Sequence, residues 1–550
     1  MNAAKPKLVT PIASNHLFYG DNLEILRDHI PDESVDLVYL DPPFNSQANY
    51  NVLFKAPGGE QSKAQIEAFE DTWHWNQKAE DAFDQVMQCG NTKVADMLNA
   101  IRQFLKENDM MAYLTMMAIR IIELHRVLKG SGTLYLHCDP TASHYLKLLL
   151  DAVFGPENYC NELIWKRRVG MSSAVHESTR FGSITDTILF YRKTKEARFR
   201  PRYNLNDPDY QAYIEERFTL VDPDGRRFQA TSLVNPAPRP NLRYEYKGYK
   251  PPPNGWMISK EKMEQWDSEG RIYFPKNPDG RLRRKSYADE LRGMPIQNLW
   301  TDIQELNSQA QERLGYPTQK PVALLERIIS ASSDEGGVVL DPFCGCGTTI
   351  HAAQKLGRNW IGIDITHLSI TLIEKRLNAA FPGIKYDVHG VPQDASGAAA
   401  LAAADKHEFQ LWAVARVGAQ PYKGGKKGAD GGVDGIIYFK PEAGKTERAI
   451  VSVKGGGSVG LTMLKDLIAT VAGENAKAGV FITLTPPTKP MQVEAAKCGF
   501  YEPPHHAKVP KIQIITVAEL FEGKMPNIPM VDTSAFKKAP KEEKHQGTLI

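Results

Sequence analysis

The chain has 550 residues, of which 42% are hydrophobic and 24% charged, with six cysteines and a formal net charge of +2. That length allows about three to five domains and a core that needs no disulfide staples. No apolar run approaches the roughly 18 residues of a membrane helix, residues 1–14 lack the apolar stretch of a secretory leader, and the few cysteines suit a reducing, intracellular setting.

Residues 16–165 alternate apolar strand-like runs with helix-like stretches, as α/β units do. Val35–Leu40 reads as a buried strand and Thr133–His137 as another; 108–128 and 141–153 read as helices. The first strand runs directly into Asp41-Pro42-Pro43-Phe44. Two prolines stiffen the loop and remove two N–H donors. A carboxylate, a proline carbonyl and an aromatic ring are then presented at the carboxyl end of a strand, where open α/β sheets bind ligands. Both acceptors suit an amino group, and the ring offers a face to a planar base. The alternative is a rigid Pro-Pro turn over a buried Phe.

From about 166 to 316 the chain is rich in Arg, Lys, Pro, Gly and Tyr and loses its periodicity. Residues 191–300 hold 22 Lys and Arg against 15 Asp and Glu, a local excess of seven that the whole-chain figure hides. Here Tyr203, Tyr244, Tyr246, Tyr249, Trp256 and Tyr287 are interleaved with basic residues such as Arg243, Lys247, Arg281, Arg283, Arg284 and Lys285. Basic side chains neutralise phosphates and set register on a duplex; an ordinary solvated surface is the alternative.

The α/β pattern resumes near 317 and lasts to about 388. Val338–Leu340 reads as a strand, 348–356 as a helix and Asn359–Ile363 as a strand. Between the first two lies Asp341-Pro342-Phe343-Cys344-Gly345-Cys346-Gly347-Thr348. Its glycines let backbone N–H groups approach a ligand and turn the chain into a helix N-terminus. Asp364 ends the next strand, where a carboxylate can take two ribose hydroxyls. A tight strand-to-helix turn without a ligand is the alternative. No G-x-x-x-x-G-K-[ST] occurs, so no ATP-driven motor is encoded. Cys344 and Cys346 read as small packing residues.

Residues 389–405, with seven alanines, read as a linker leading into a helix. Within 406–530, a glycine-rich segment ending Asp434-Gly435 precedes the strand Ile436–Phe439, and Arg448–Val453 ends at Lys454. A hairpin centred near residue 444 sets Asp434 opposite Lys454, where the pair could share a metal and a water. A surface ion pair is the alternative. The tail 531–550 is basic and reads as flexible.

Asp41–Phe44 matches the catalytic D-P-P-[YF] motif of amino-methylating DNA methyltransferases, and Phe343, Gly345 and Gly347 match their F-x-G-x-G cofactor motif. With the catalytic motif first, the order resembles the beta class, a circular permutation of the fold. Tyr19-Gly20-Asp21 resembles the segment whose Asp lies near the cofactor adenine, and Pro317–Pro321 resembles the T-x-K-P segment. The resemblance implies an α/β, Rossmann-like S-adenosylmethionine-dependent methyltransferase domain over 16–388, with 166–316 as an inserted target-recognition region. It implies catalytic Asp41, Pro42, Pro43 and Phe44. Implied cofactor-binding residues are Asp21, Thr318, Lys320, Asp341, Phe343, Gly345, Gly347, Thr348 and Asp364. Asp at position 41 favours N6 of adenine over N4 of cytosine.

Gly428–Gly435 followed by Ser452-Val453-Lys454 resembles Mrr-type restriction endonuclease domains of the PD-(D/E)xK superfamily. The resemblance implies a C-terminal α/β restriction-endonuclease-like domain over 406–530 with catalytic Asp434, Ser452 and Lys454. Mg²⁺ would be held by Asp434, with Glu408 or Glu474 as candidate partner, because Ser452 stands where the family carries Gln or an acid. Together these imply a cytoplasmic enzyme of a prokaryote or phage, acting on double-stranded DNA in restriction–modification or phage defence. A homodimer is left open. The alternatives are an N4-cytosine methyltransferase whose inactive C-terminal domain only tethers DNA, and an RNA or protein methyltransferase.

Overall fold

The computed structural model describes residues 8–43, 75–167, 184–277, 279–306, 310, 312–314, 319–422, 432–442, 445–457, 459–503 and 506–529. They fall into two compact units, one built from the chain up to Arg200 and from Asn298 onward, the other from Pro201–Gln297.

Among the described residues of the first unit, nine strands form one sheet. The order is Leu299–Trp300, Tyr159–Lys166, Thr185–Arg192, Leu128–Cys138, Val35–Leu40, Val338–Asp341, Asn359–Asp364, His16–Tyr19 and Asp387–His389. From Leu128–Cys138 to Asp387–His389 every neighbouring pair is parallel. Thr185–Arg192 runs antiparallel to both of its neighbours. Parallel strands are covered on both faces and read as continuous apolar runs, which is why Val35–Leu40 and Asn359–Asp364 stand out in the sequence. The helix Asp109–Val127 is buried on nearly all sides and starts at Asn108, whose side chain accepts from the Met111 N–H.

A second sheet of the same unit runs Gln420–Pro421, Gly435–Glu442, Lys445–Lys454, Ala478–Thr483, Ile512–Thr516, antiparallel in its first two pairs and parallel in its last two. Residues 389–405 are not a spacer. His389 still pairs in the large sheet, and Ala395–Ala404 is a helix whose Ala398 and Ala402 lie in the core with Phe409, Trp412 and Phe439. Alanine makes the helix and, having no bulk, lets it approach that core closely.

The second unit carries a four-stranded antiparallel sheet in the order Leu220–Val221, Arg227–Ser232, Arg283–Tyr287, Ile272–Tyr273. Its limits correct the expected insertion. Thr185–Arg192, placed by the sequence in the basic segment, is an interior strand of the large sheet. The aromatic residues are also re-sorted. Tyr246 and Trp256 form a small core with Leu233, Met263, Ile272 and Leu282, and Tyr287 is buried, whereas Tyr203, Arg281 and Arg283 are exposed. Among the described residues no helix is long and apolar enough to cross a membrane.

Candidate functional site

Six neighbouring parallel strands end along one edge of the large sheet, and the singled-out motifs sit there. Asp41 follows Val35–Leu40. Asp341 ends the adjacent strand, Asp364 the next, and Gly20-Asp21 follow His16–Tyr19. Strand order thus brings together motifs some 300 residues apart. Phe44 and Thr318 lie outside the described residues.

Lys320 reaches back across the chain. Its Nζ lies 2.6 Å from Asp41 Oδ2, with both side chains mostly buried. Lys320, expected to bind the cofactor, is thus joined to the carboxylate of the motif expected to be catalytic. Asp21 also has structural duties. Its Oδ1 accepts from Leu23 N–H at 2.8 Å to cap the helix Asn22–His29, and its Oδ2 pairs with buried Arg120 at 2.9 Å. Arg120 also donates to Asn22 Oδ1, and Asn22 donates to the Pro342 carbonyl at 2.8 Å, linking the two loops. Asp21 is 35% exposed and keeps acceptor capacity beside these bonds.

The loop after Val338–Asp341 is held from within. Phe343 N–H donates to Asp341 Oδ1 at 3.0 Å, and Gly345 N–H donates to Asp364 Oδ2 at 2.9 Å. Thr366 donates to Asp364 Oδ1 through both N–H and hydroxyl at 2.9 Å. Gly345 and Gly347 adopt φ of 51° and 75°, where side chains are disfavoured. A Cβ at Gly347 would stand 2.8 Å from Ile373 Cγ1. Thr348, expected at the cofactor, is buried and accepts a hydrogen bond from Arg376 at 3.1 Å. Arg376 also donates to the Cys346 carbonyl at 3.0 Å, bracing the loop from behind. Cys344 and Cys346 are buried packing residues, as expected.

Burial pushes the Asp341 carboxyl up to about 7 despite bonds from Thr349 and Phe343, and burial also raises Asp364. The stability consequence has a definite sign. The folded value of Asp341 lies above the roughly 3.9 of an unfolded Asp, so its contribution is complete below about pH 4 and is lost as pH rises toward 7. Asp341→Asn is expected to remove that slope. Tm measured from pH 4 to 8 should fall less with rising pH in the variant than in the parent, and parallel profiles would contradict the assignment.

Behind Asp41 runs a network that sequence reading missed. Tyr39 and His137 Nδ1 are hydrogen-bonded at 2.9 Å, His137 Nε2 and Asp186 Oδ2 at 3.0 Å, and Arg167 Nε lies 3.2 Å from Asp186 Oδ1. Burial works to raise Asp186, but the bond and charge of His137, with Lys320 and Arg167, outweigh it and hold the carboxyl below its ordinary value. The available signal was a polar residue closing an apolar run: His137 after Leu134-Tyr135-Leu136. For Arg376 it was a charge among Leu372, Ile373 and Leu377.

In the C-terminal sheet Asp434 and Lys454 do meet, at 3.8 Å, and Asp434 Oδ2 accepts from Val453 N–H at 2.6 Å. The pairing differs from the expected one. Gly435 opposes Val451, so the hairpin centre falls before residue 444, with a bulge between Phe439 and Glu442. Asp434 therefore reaches Lys454 along the strand rather than directly across. Ser452 is buried. The proposed metal partners are engaged elsewhere. Glu408 accepts from Tyr19 OH and lies 3.4 Å from His367 Nε2, and Glu474 pairs with Arg448 at 3.2 Å. Those hydrogen bonds, with His367 first in effect, hold Glu408 down at about 2.

Comparison with known proteins gives two family matches. The DNA methylase family matches residues 35–375, and the restriction endonuclease family of Mrr type matches 401–522. The type II methyltransferase M.EcaI of Enterobacter cloacae is 34% identical over 268 residues, 48% of this chain and 57% of that protein. The DNA adenine methyltransferase YhdJ of Escherichia coli is 26% identical over 364 residues, 66% of this chain and 83% of that protein. Among solved structures, the complex of M1.HpyAVI with S-adenosylmethionine shares 17% identity at a TM-score of 0.30, covering 66% of this chain and 98% of that one. The chain spans about half the length of the first curated relatives it matches.

Proposed function

Because the chain belongs to the DNA methylase family and carries a C-terminal restriction endonuclease domain, we propose that it methylates N6 of adenine in double-stranded DNA and also cuts DNA. The role is restriction–modification or phage defence. The observation that carries the methylation reading is the placement of Asp41, oriented by Lys320 at 2.6 Å, beside the Asp341–Gly347 loop on the neighbouring parallel strand.

S-adenosylmethionine fits this edge. It is a cation, and two carboxyls, buried Asp341 and half-buried Asp364, sit at adjacent strand ends with raised pKa, so a positive charge nearby favours their ionised forms. When bound, it supplies an activated methyl group. Gly345 and Gly347 let the backbone approach it, while Asp364, Phe343 and Asp21 line its side of the edge. A target adenine has to leave the stack before its amino group is reachable. The Asp41 carboxylate and the Pro42 carbonyl then accept hydrogen bonds from that amino group and build electron density on nitrogen. The work of the site is positioning and electrostatics.

Residues 201–297 supply target recognition, with exposed Arg281 and Arg283 on phosphates. In the C-terminal domain Asp434 offers one carboxylate. Mg²⁺ commonly takes one or two and completes its shell with water, so the residues fit a single-carboxylate site. Lys454 would orient the attacking water.

The test uses labelled S-adenosylmethionine and DNA, followed by digestion to nucleosides and chromatography. Label in N6-methyladenine is the expected result. Label in N4-methylcytosine would overturn the choice of base, and label transferred only to RNA or protein would overturn the DNA reading.

A further inference from the structure

On the edge strand of the large sheet, a cluster of donors is used by neither site. His16 opens the strand His16–Tyr19, and Asp387 and His389 come from the parallel strand beside it, in the register His16 to Asp387 and Phe18 to His389. His16 Nδ1 lies 3.1 Å from His389 Nε2 and 3.7 Å from Asp387 Oδ2. Among the described residues these three form the only group of three or more metal-ligating side chains whose donor atoms lie within 4.8 Å of one another.

We propose that His16, Asp387 and His389 form a binding site for a divalent cation of the zinc class. The distances match that chemistry. Two bonds of 2.0–2.1 Å at a tetrahedral angle separate their donor atoms by about 3.3 Å, and the observed 3.1 and 3.7 Å bracket that value. Two imidazole nitrogens at 3.1 Å hold at most one proton between them, so at least one lone pair faces the centre. Nitrogen with one carboxylate oxygen selects zinc, cobalt or nickel over magnesium or calcium.

The surroundings are those of a built site. Ser14 Oγ lies 2.9 Å from the other ring nitrogen of His16, the outer partner that orients a ligating imidazole. The His389 ring is stacked on Phe18 at 4.3 Å, which sets its plane. His16 is buried, His389 half-buried, and Asp387 faces solvent, so water completes the fourth position.

The site would clamp a three-residue edge strand to its neighbour. That strand leads directly into the helix Ala395–Ala404, which is part of the C-terminal core. Its role is therefore structural. His16 and Asp387 open their strands and His389 closes its three-residue strand, whereas Asp41 and Gly20-Asp21 follow the carboxyl ends of theirs.

The test uses the full chain without a polyhistidine tag, stripped with a chelator and titrated with ZnCl₂ against a chromophoric chelator. Co²⁺ absorption serves as a second readout. The parent should bind one zinc that is lost in the His389→Gln variant and weakened at least tenfold in Asp387→Asn, whose side chain is exposed and whose fold is not at risk. Zinc should raise the parent's Tm by a few degrees and leave the Asp387→Asn value nearly unmoved. Absence of saturable binding by the parent, or equal affinity in parent and both variants, would overturn the site. A zinc that depends on Asp434 instead would assign the binding to the nuclease domain and likewise overturn it.

Discussion

Asp41→Ala is expected to lower the methyl-transfer rate about a thousandfold, within the range for removing a group that acts only on the reacting atoms. Two effects add. The target amino group loses its charged acceptor, leaving the Pro42 carbonyl alone. Lys320 loses its 2.6 Å ion pair with Asp41, and its positive charge then acts on a nitrogen that must become more electron-rich. Binding of S-adenosylmethionine should change less than threefold, because the glycine loop is braced by Asp364, Asn22 and Arg376 rather than by Asp41. Single-turnover transfer and equilibrium dialysis separate the two quantities. A rate within tenfold of the parent would remove Asp41 from the chemistry. Asp41→Asn keeps an acceptor oxygen and should fall between parent and alanine.

DNA cutting should disappear, by a thousandfold or more, in Asp434→Ala and in Lys454→Ala, while methyl transfer stays within about twofold of the parent. Asp434 is the buried acid of the C-terminal sheet that contacts Lys454, so metal and water lose their common anchor without it. Asp434 also accepts the Val453 N–H at 2.6 Å. Its loss costs about 1 kcal/mol of stability as well, so Tm is measured alongside cleavage. Lys454→Ala has no such backbone bond to lose and is the cleaner variant. If both proteins are folded and cut DNA at the parent's rate, the nuclease assignment fails.

The strands that carry the candidate motifs are readable because each is an apolar run stopped by an acid and a proline or glycine. Val35–Leu40 before Asp41-Pro42 and Val338–Asp341 before Pro342 are found where expected. What escaped were relations between distant residues. Lys320 on Asp41, Arg120 on Asp21 and Asp186 on His137 join positions between 49 and 279 residues apart, and no local spacing announces such pairs. Thr185–Arg192 falls within the 166–316 segment that composition and lost periodicity mark as the insertion, although its own run, Ile188-Leu189-Phe190-Tyr191, is that of a buried strand. The shift in the 435–454 hairpin follows from a bulge, which adds a residue to one strand without changing the apolar pattern.

The position of Asp387–His389 as the last strand of the large sheet also sets a schedule. Every described strand of that sheet lies before residue 390, while the smaller sheet is complete only with Ile512–Thr516. On a ribosome adding about 5 to 20 residues per second, the interval between the two amounts to roughly 6 to 25 s. Each newly made molecule can therefore assemble the part that matches the DNA methylase family before the part that matches the restriction endonuclease family is complete. A variant with the two halves exchanged in order would reverse that sequence of events during translation.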